Sequence, residues 1–140
     1  MEVESKYLSL FYRQDFPLFW REHYRFWQRK HDRKDWVIFF LEGAFWRKVG
    51  SVYITKLHQQ IPEIGIYVGE VTLYKKGVAT KALTHVFAWI QKNGYSVIQA
   101  RIFKDNIGSL RLFERLGFRK DNPLRKDGWF LYHCRLQQNT

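Results

Sequence analysis

The sequence predicts one mixed α/β domain built on a mostly antiparallel sheet. Its 140 residues, 46% of them hydrophobic, suit a single domain over residues 1–140 that buries roughly two thirds of its unfolded surface. β-branched and aromatic runs predict strands at 36–43 and 45–57 that turn near Gly43 as an antiparallel hairpin. Strand, helix and strand signals then follow over 63–105, an order typical of two parallel strands joined by a right-handed crossover.

The chain before the hairpin predicts one strand and one helix. Residues 3–12 are expected to form a short first strand or an irregular arm. The segment DFPLFWREHYRFWQRK (15–30) predicts a helix, because Asp15 suits an N-cap, Pro17 is tolerated in the first turn and aromatic side chains recur at helical spacing. Basic residues lie between these aromatics, so the segment suits either a core-facing stripe with solvated cations or a surface that stacks a base and holds a phosphate.

The middle of the chain predicts the strand–helix–strand unit. EIGIYVG (63–69) reads as a strand, a helix is expected from about Lys76 to Asn93, and SVIQARIFKD (96–105) reads as the next strand. Gly94 suits the left-handed residue that often follows a helix. The side chains expected to face the core are Val78, Ala82, Val86, Trp89 and Ile90 on the helix and Ile98, Ala100 and Ile102 on the strand.

The last part of the chain predicts one short helix and two strands. NIGSLRLFERLG (106–117) reads as a helix that Asp105 or Asn106 caps and Gly117 ends. After it, FRKDNPLRKDGWFLYHCRL (118–136) predicts a short strand, a turn rich in Asp, Asn, Pro and Gly, and a longer strand.

The composition narrows the compartment and the partners. A single cysteine, Cys134, excludes an internal disulfide and favours a reducing compartment such as the cytoplasm. No apolar run reaches the ~20 residues of a membrane helix, and the acidic start MEVESKYLSL is unlike a secretion signal. The 24 Lys and Arg against 13 Asp and Glu give a formal net charge of +11, which attracts nucleotides, coenzyme phosphates and nucleic acid.

The segment YKKGVATKAL (74–83) joins an apolar strand to an apolar helix. The first amides of a helix lack backbone partners and its dipole adds partial positive charge, so phosphate fits this end. Gly77 lets an anion approach the backbone, Lys75 and Lys76 add charge, and Thr80 offers a hydroxyl one turn in. A plain glycine turn at the start of a helix is the alternative.

Two segments in this order resemble the GNAT superfamily of N-acetyltransferases, and most nearly its branch of ribosomal-protein and aminosugar-nucleotide acetyltransferases. EIGIYVGEVTLYKKGVATKAL (63–83) is similar to the family's acetyl-coenzyme A loop: Gly77 and Ala79 match, and Tyr74 stands where Gln or Arg is usual. DNIGSLRLFERLGF (105–118) is similar to the next strand and helix of the family. The matching residues there are Asn106, Ser109, Glu114, Leu116, Gly117 and Phe118.

The resemblance implies a GNAT-like sheet with helices on both faces and a splayed pair of parallel strands that holds acetyl-CoA. It implies that Tyr67, Val68 and Gly69 contact the pantetheine arm and direct an N–H group at the thioester oxygen. Asn106 is implied to bind the coenzyme from the other side, although it equally suits a helix N-cap. The remaining implied contacts wrap the pyrophosphate and come from Lys75, Lys76, Gly77, Val78, Ala79 and Thr80.

The implied reaction is direct attack of a primary amine on the acetyl group. Many relatives protonate the departing thiolate with a tyrosine, but here that position is Phe113, so Ser109, one turn earlier, is the substitute candidate. With a pKa near ~8.5, a thiol leaves tolerably as a bare thiolate. Glu63 is the first choice for the general base, acting directly or through one water, and His58 and Glu70 are weaker candidates. The scattered histidines indicate no metal site.

The acceptor is expected between the amino-terminal helix region and the final hairpin. The basic surface favours a small anionic acceptor such as an amino-sugar nucleotide. One alternative is a protein amine of the ribosomal-protein type, although basic targets are repelled by this charge. Another is a non-catalytic module that binds nucleic acid, a less favoured partner. A monomer and a homodimer both fit the sequence, and no membrane partner is expected.

Overall fold

The structure, a computed structural model, describes residues 8–12 as backbone and residues 32–69, 77–121 and 127–136 in full. The described strands form one seven-stranded sheet in the order β1-β2-β3-β4-β5-β7-β6. The strands are β1 (Leu8–Tyr12), β2 (Lys34–Glu42), β3 (Phe45–Thr55), β4 (Glu63–Val68), β5 (Val97–Phe103), β6 (Arg119–Lys120) and β7 (Trp129–Arg135). Two described helices are α1 (Val78–Lys92) and α2 (Ile107–Arg115).

The hairpin of β2 and β3 forms the larger half of the sheet. Gly43 makes its turn with a φ of 62°, in the left-handed region that glycine adopts without a steric penalty. The antiparallel register shifts between Ile38 and Phe39, where Val49 is the extra residue of a bulge on β3. This bulge lies beside the end of β4, because Gly50 pairs with Val68.

The sheet changes direction between β4 and β5. These neighbours are parallel, whereas every other pairing in the described sheet is antiparallel. Helix α1 supplies the crossover and packs against β3 and β4. The mixed, mostly antiparallel fold predicted from the sequence is confirmed.

The core lies between the sheet and the described helices. It combines Trp36 and Ile38 of β2, alternate residues of β3 to β5, and the apolar stripe of α1. Trp89 is only partly buried, while Ala79 and Leu83 join the predicted stripe. On β5 the alternation is as predicted: Ile98, Ala100 and Ile102 are buried.

The predicted elements within the described residues all occur, with ends displaced by a few residues. Strand β2 begins at Lys34, two residues before the predicted start, and β3 ends at Thr55, two residues before the predicted end. Helix α1 spans 78–92 rather than about 76–93. The first strand covers only 8–12 of the predicted 3–12. The predicted helix over 15–30, and with it a helical layer on the second face, lies outside the described residues.

Candidate active site

A slot separates β4 from β5 in the middle of the sheet. The two strands pair at one position only, Glu63 with Gln99, and the amide of Gln99 donates to the carbonyl of Pro62 at 3.0 Å. Beyond this point the strands diverge around a cavity of about 180 Å³. Its lining comes from both strands, from α2 and from the neighbouring strands: Tyr53, Ile64, Gly65, Ile66, Ala100, Arg101, Ile102, Phe103, Asn106, Ser109, Phe113 and Trp129.

The direction of each backbone amide along β4 follows from its two neighbours. The amide of Gly69 donates to the carbonyl of Val49 at 2.8 Å on the β3 side, while Pro62 accepts from β5. Backbone groups alternate in direction along a strand. Beyond the single β5 pair, the amides of Ile66 and Val68 therefore face the slot, and those of Tyr67 and Gly69 face β3. Of the three residues expected at the thioester, Val68 is the one whose N–H faces away from β3. It lies beyond Ile66, the last residue of β4 in the described lining of the cavity.

The start of α1 is the helix end at which the sequence predicts an anion site. Gly77 is the residue before the helix, with a φ of 84°, and no side chain among the described residues caps it. The first helical bond runs from the Lys81 amide to the Gly77 carbonyl at 3.0 Å, so the amides of residues 78–80 precede the ladder. The side chains of Val78 and Ala79 are fully buried, which leaves only their backbone for a ligand. Lys75 and Lys76 lie outside the described residues.

Residues of α2 close the slot on the β5 side. The side-chain oxygen of Asn106 accepts a hydrogen bond from the Ser109 amide at 3.2 Å, so Asn106 is an N-cap. Both residues also line the slot, as does Phe113. The Phe113 ring is 2% exposed and packs edge-on against Phe118 with 4.9 Å between ring centroids. The wall at this place is therefore apolar, and Ser109 supplies the hydroxyl closest to it along the helix.

Glu63 sits at the closed end of the slot in a cluster of charges. Its Oε1 atom lies 3.6 Å from Lys56 Nζ and 3.4 Å from Arg101 Nη2, and Gln99 Nε2 is 3.5 Å away. Because Arg101 also lines the slot, the cluster borders the cavity. All three of these contacts are to Oε1 of the carboxylate.

His58, the weaker candidate for the base, is paired elsewhere. Its ring and its amide both hydrogen bond to Asp32, the amide at 2.6 Å. Desolvation acts to raise the pKa of Asp32, but the hydrogen bonds and charge of His58 outweigh it, so the pKa of Asp32 is lower than usual. His58 is thus held by Asp32 on the exposed loop that follows β3, while Glu70 lies outside the described residues.

A hydrogen-bonded pair of titratable side chains, Tyr132 and Glu114, joins β7 to α2. The Tyr132 hydroxyl donates to Glu114 at 2.9 Å. Burial, followed by the hydrogen bond and charge of Glu114, raises the pKa of Tyr132 to about 12. The phenol stays protonated near neutral pH and ties β7 to α2.

Three slot residues have no motif that marks them in the sequence. Tyr53 of β3 pairs with Gly65, and a β-carbon at Gly65 would come within 2.2 Å of the Tyr53 ring. The ring therefore covers the glycine at the slot. Arg101 and Trp129 also reach the slot, from β5 and β7. One sequence signal could have found Arg101. It alternates with Ile98, Ala100 and Ile102 along the strand and is therefore expected on the opposite side of the sheet from these buried residues.

The described residues include neither a cluster of metal ligands nor a helix of membrane-spanning character. No group of three or more His, Cys, Asp and Glu side chains in the described part of the chain could hold a metal ion. Neither α1 nor α2 has the length and apolar character needed to cross a bilayer.

The site combines two parted parallel strands, backbone amides that face the gap and a helix start without a side-chain cap. These features suit an acyl-coenzyme A, and known protein families and structures resemble the chain accordingly. Residues 9–119 match the family model of the acetyltransferase (GNAT) domain. An uncharacterised protein of Methanocaldococcus jannaschii is 42% identical over 121 residues, which is 86% of this chain and 25% of that protein. The chain belongs to the GNAT acetyltransferase domain family, which confirms the class predicted from the sequence, an N-acetyltransferase domain. It spans about a quarter of the length of that relative.

Solved structures share the fold over most of the chain. A domain from Methanocaldococcus jannaschii has 39% identity and a TM-score of 0.73, covering 91% of this chain and 82% of its own. The N-acetyltransferase PseH of Campylobacter jejuni has 15% identity and a TM-score of 0.69, covering 94% and 99%. The spermidine N-acetyltransferase of Vibrio cholerae, solved with CoA and spermine, has 14% identity and a TM-score of 0.71, covering 94% and 96%. At such identities the last two show the fold alone.

Proposed function

We propose that the chain is an acetyl-CoA-dependent N-acetyltransferase that acetylates a primary amine on a small anionic acceptor, such as an amino-sugar nucleotide. The single pairing of β4 with β5, with a cavity beyond it, is the observation that supports this proposal most strongly. Two parallel strands that pair along their whole length leave no place for a pantetheine arm. Two parted strands leave backbone amides of β4 unpaired, and these can hydrogen bond to the amide groups of the pantetheine.

The residues fit acetyl-CoA as co-substrate in three places. The first-turn amides of α1 and Gly77 suit the pyrophosphate, with Lys75, Lys76 and Thr80 adding charge and a hydroxyl. The amides of Ile66 and Val68 suit the pantetheine and the thioester oxygen, with Tyr67 and Gly69 on either side of Val68. Asn106 faces Ile66 across the slot, since both residues line the same cavity.

The transfer conserves atoms and charge in one addition and one elimination. The nitrogen lone pair of the acceptor attacks the acetyl carbonyl carbon, and the oxygen becomes an oxyanion that the Val68 amide stabilises. Loss of a comparable donor costs ~3 kcal/mol in other enzymes. The carbon–sulfur bond then breaks and the electron pair leaves on the coenzyme thiolate. Glu63 lies five residues from Val68 along β4, about 16 Å at the rise of a strand, so the ammonium proton reaches it through a chain of waters. Ser109 or solvent protonates the thiolate.

The anionic acceptor is supported by charge. The formal net charge of +11 favours an acceptor that carries phosphate or carboxylate and disfavours polyamines and basic peptides. Among the described residues that line the slot, Arg101 carries the only full charge. Its guanidinium lies 3.4 Å from Glu63, so the net charge of the chain is what supports an anionic acceptor.

The test is the release of coenzyme thiol from acetyl-CoA in the presence of an acceptor panel. The panel contains a uridine- or thymidine-linked amino sugar, spermine and a basic peptide with a free amino terminus. We expect the fastest release with the nucleotide-linked amine. Thiol release with the peptide and with no other acceptor would favour a protein acetyltransferase. If acetyl-CoA binds but no amine in the panel causes thiol release, the catalytic proposal is contradicted.

A further inference from the structure

A second cavity lies at the opposite end of β4 from Glu63. Its volume is about 420 Å³, and its described lining is Arg47, Lys48, Val49, Gly50, Ser51, Tyr67 and Gly69. We call it the bulge pocket, because it covers the β3 bulge at Val49. It shares no described residue with the slot.

Two glycines and one tyrosine give the bulge pocket its shape. A β-carbon at Gly50 would lie 2.1 Å from the Tyr67 carbonyl oxygen, so only glycine fits where the strands approach. A β-carbon at Gly69 would lie 3.5 Å from the Tyr67 hydroxyl. The Tyr67 side chain is therefore folded over Gly69 and forms a wall, and it is 65% exposed.

The charge of the bulge pocket is positive. Arg47 and Lys48 both line it, and no carboxylate does among the described lining residues. Glu42, which lies outside this lining, accepts a hydrogen bond from Arg47 Nε at 2.8 Å on the exposed surface. Lys48 has no carboxylate within ion-pair distance among the described residues. An ammonium and a guanidinium beside an exposed phenol ring suit a ligand that combines phosphate with an aromatic base.

We propose that the bulge pocket binds the nucleoside diphosphate part of the acceptor, with Lys48 and Arg47 on the phosphates and Tyr67 stacked on the base. This rests on the proposed function, whose acceptor it narrows to a nucleotide-linked amine. Tyr67 and Gly69 are the neighbours of Val68 in the chain, and consecutive α-carbons lie about 3.8 Å apart. An acceptor held in the bulge pocket is therefore next to the amide assigned to the thioester.

The experiment titrates the chain, saturated with CoA, with UDP, uridine and inorganic pyrophosphate by calorimetry. UDP, which has both parts, is expected to bind more tightly than either fragment. Lys48→Ala should weaken UDP binding by about 10-fold, as expected for a lost charge-assisted hydrogen bond, and Lys48→Arg should restore it. Tyr67→Leu should weaken UDP and uridine by about 10-fold while leaving pyrophosphate unchanged. Lys92→Ala, at the exposed end of α1, removes the same charge far from the pocket and should change UDP binding by less than about 2-fold.

Each contrary result is specific. An equal loss of UDP binding in Lys92→Ala and Lys48→Ala would show attraction to net charge only. Competition between CoA and UDP would assign the bulge pocket to the coenzyme. Equal affinity for UDP and pyrophosphate would leave a simple anion site without base recognition. CoA binding is measured first on the unaltered chain, so that its failure counts against the proposed function while UDP binding still decides the pocket.

Discussion

Replacing Gly77 with valine should remove acetyl-CoA binding while the domain stays folded. Gly77 precedes α1 with a φ of 84°, where an L-residue loses roughly 1–2 kcal/mol. In the proposed site, a branched side chain there would also take up space that the pyrophosphate needs. The variant is therefore expected to lose both some stability and the coenzyme.

Gly94 provides a matched control for the backbone strain. It follows the same helix with a φ of 91°, and a β-carbon there would meet no atom within 4 Å. Gly94→Val should therefore cost a similar amount, roughly 1–2 kcal/mol. It lies at the other end of α1 and should leave the coenzyme site intact.

The assay is thermal unfolding with and without acetyl-CoA. A ligand at 100 times its Kd adds about 2.7 kcal/mol, which for a chain of this size raises Tm by roughly 8 °C. We expect this shift in the unaltered chain and in Gly94→Val, and none in Gly77→Val. A full shift in Gly77→Val would refute the assignment of the pyrophosphate to the start of α1.

Other substitutions test the catalytic and structural pairs. Glu63→Gln should lower kcat by about 100-fold with little change in acetyl-CoA binding. Lys56→Gln removes only a partner of Glu63 and should lower kcat far less. Equal losses of kcat in the two variants would make Glu63 a positioning residue. Ser109→Ala should lower kcat several-fold, by up to about 10-fold, because a thiolate leaves without much help. An unchanged kcat would remove Ser109 as the acid. Tyr132→Phe should destabilise the fold by about 2 kcal/mol in urea unfolding. Since the pKa of Tyr132 is raised from 10.0 to about 12, that difference should be complete below about pH 10 and disappear as the pH rises to about 12; a pH-independent difference would contradict the role of the hydrogen bond.

Local sequence signals predicted the elements and the glycine corner well. Gly77, Gly94 and the Asn106 cap depend on neighbouring residues in the chain, and each is found in its predicted place. The buried alternation of β5 is likewise a property of one short segment. Such features need no knowledge of the rest of the fold.

Features that depend on pairing between distant strands could not be predicted. The direction of the Val68 amide follows from the bond between Gly69 and Val49, which the β3 bulge positions. The cluster around Glu63 draws Lys56 from the residue after β3 and Arg101 from β5. The register that brings these residues together is fixed by tertiary packing, so the local sequence contains no direct signal of it.

Hydrogen exchange of the β4 amides, followed by NMR with and without acetyl-CoA, tests the slot most directly. If the pantetheine lies between β4 and β5, the amides of Ile66 and Val68 gain protection. Those of Tyr67 and Gly69, which already face β3, change little. Equal protection along the strand, or none at Ile66 and Val68 while the coenzyme is bound, would contradict a coenzyme held in the slot.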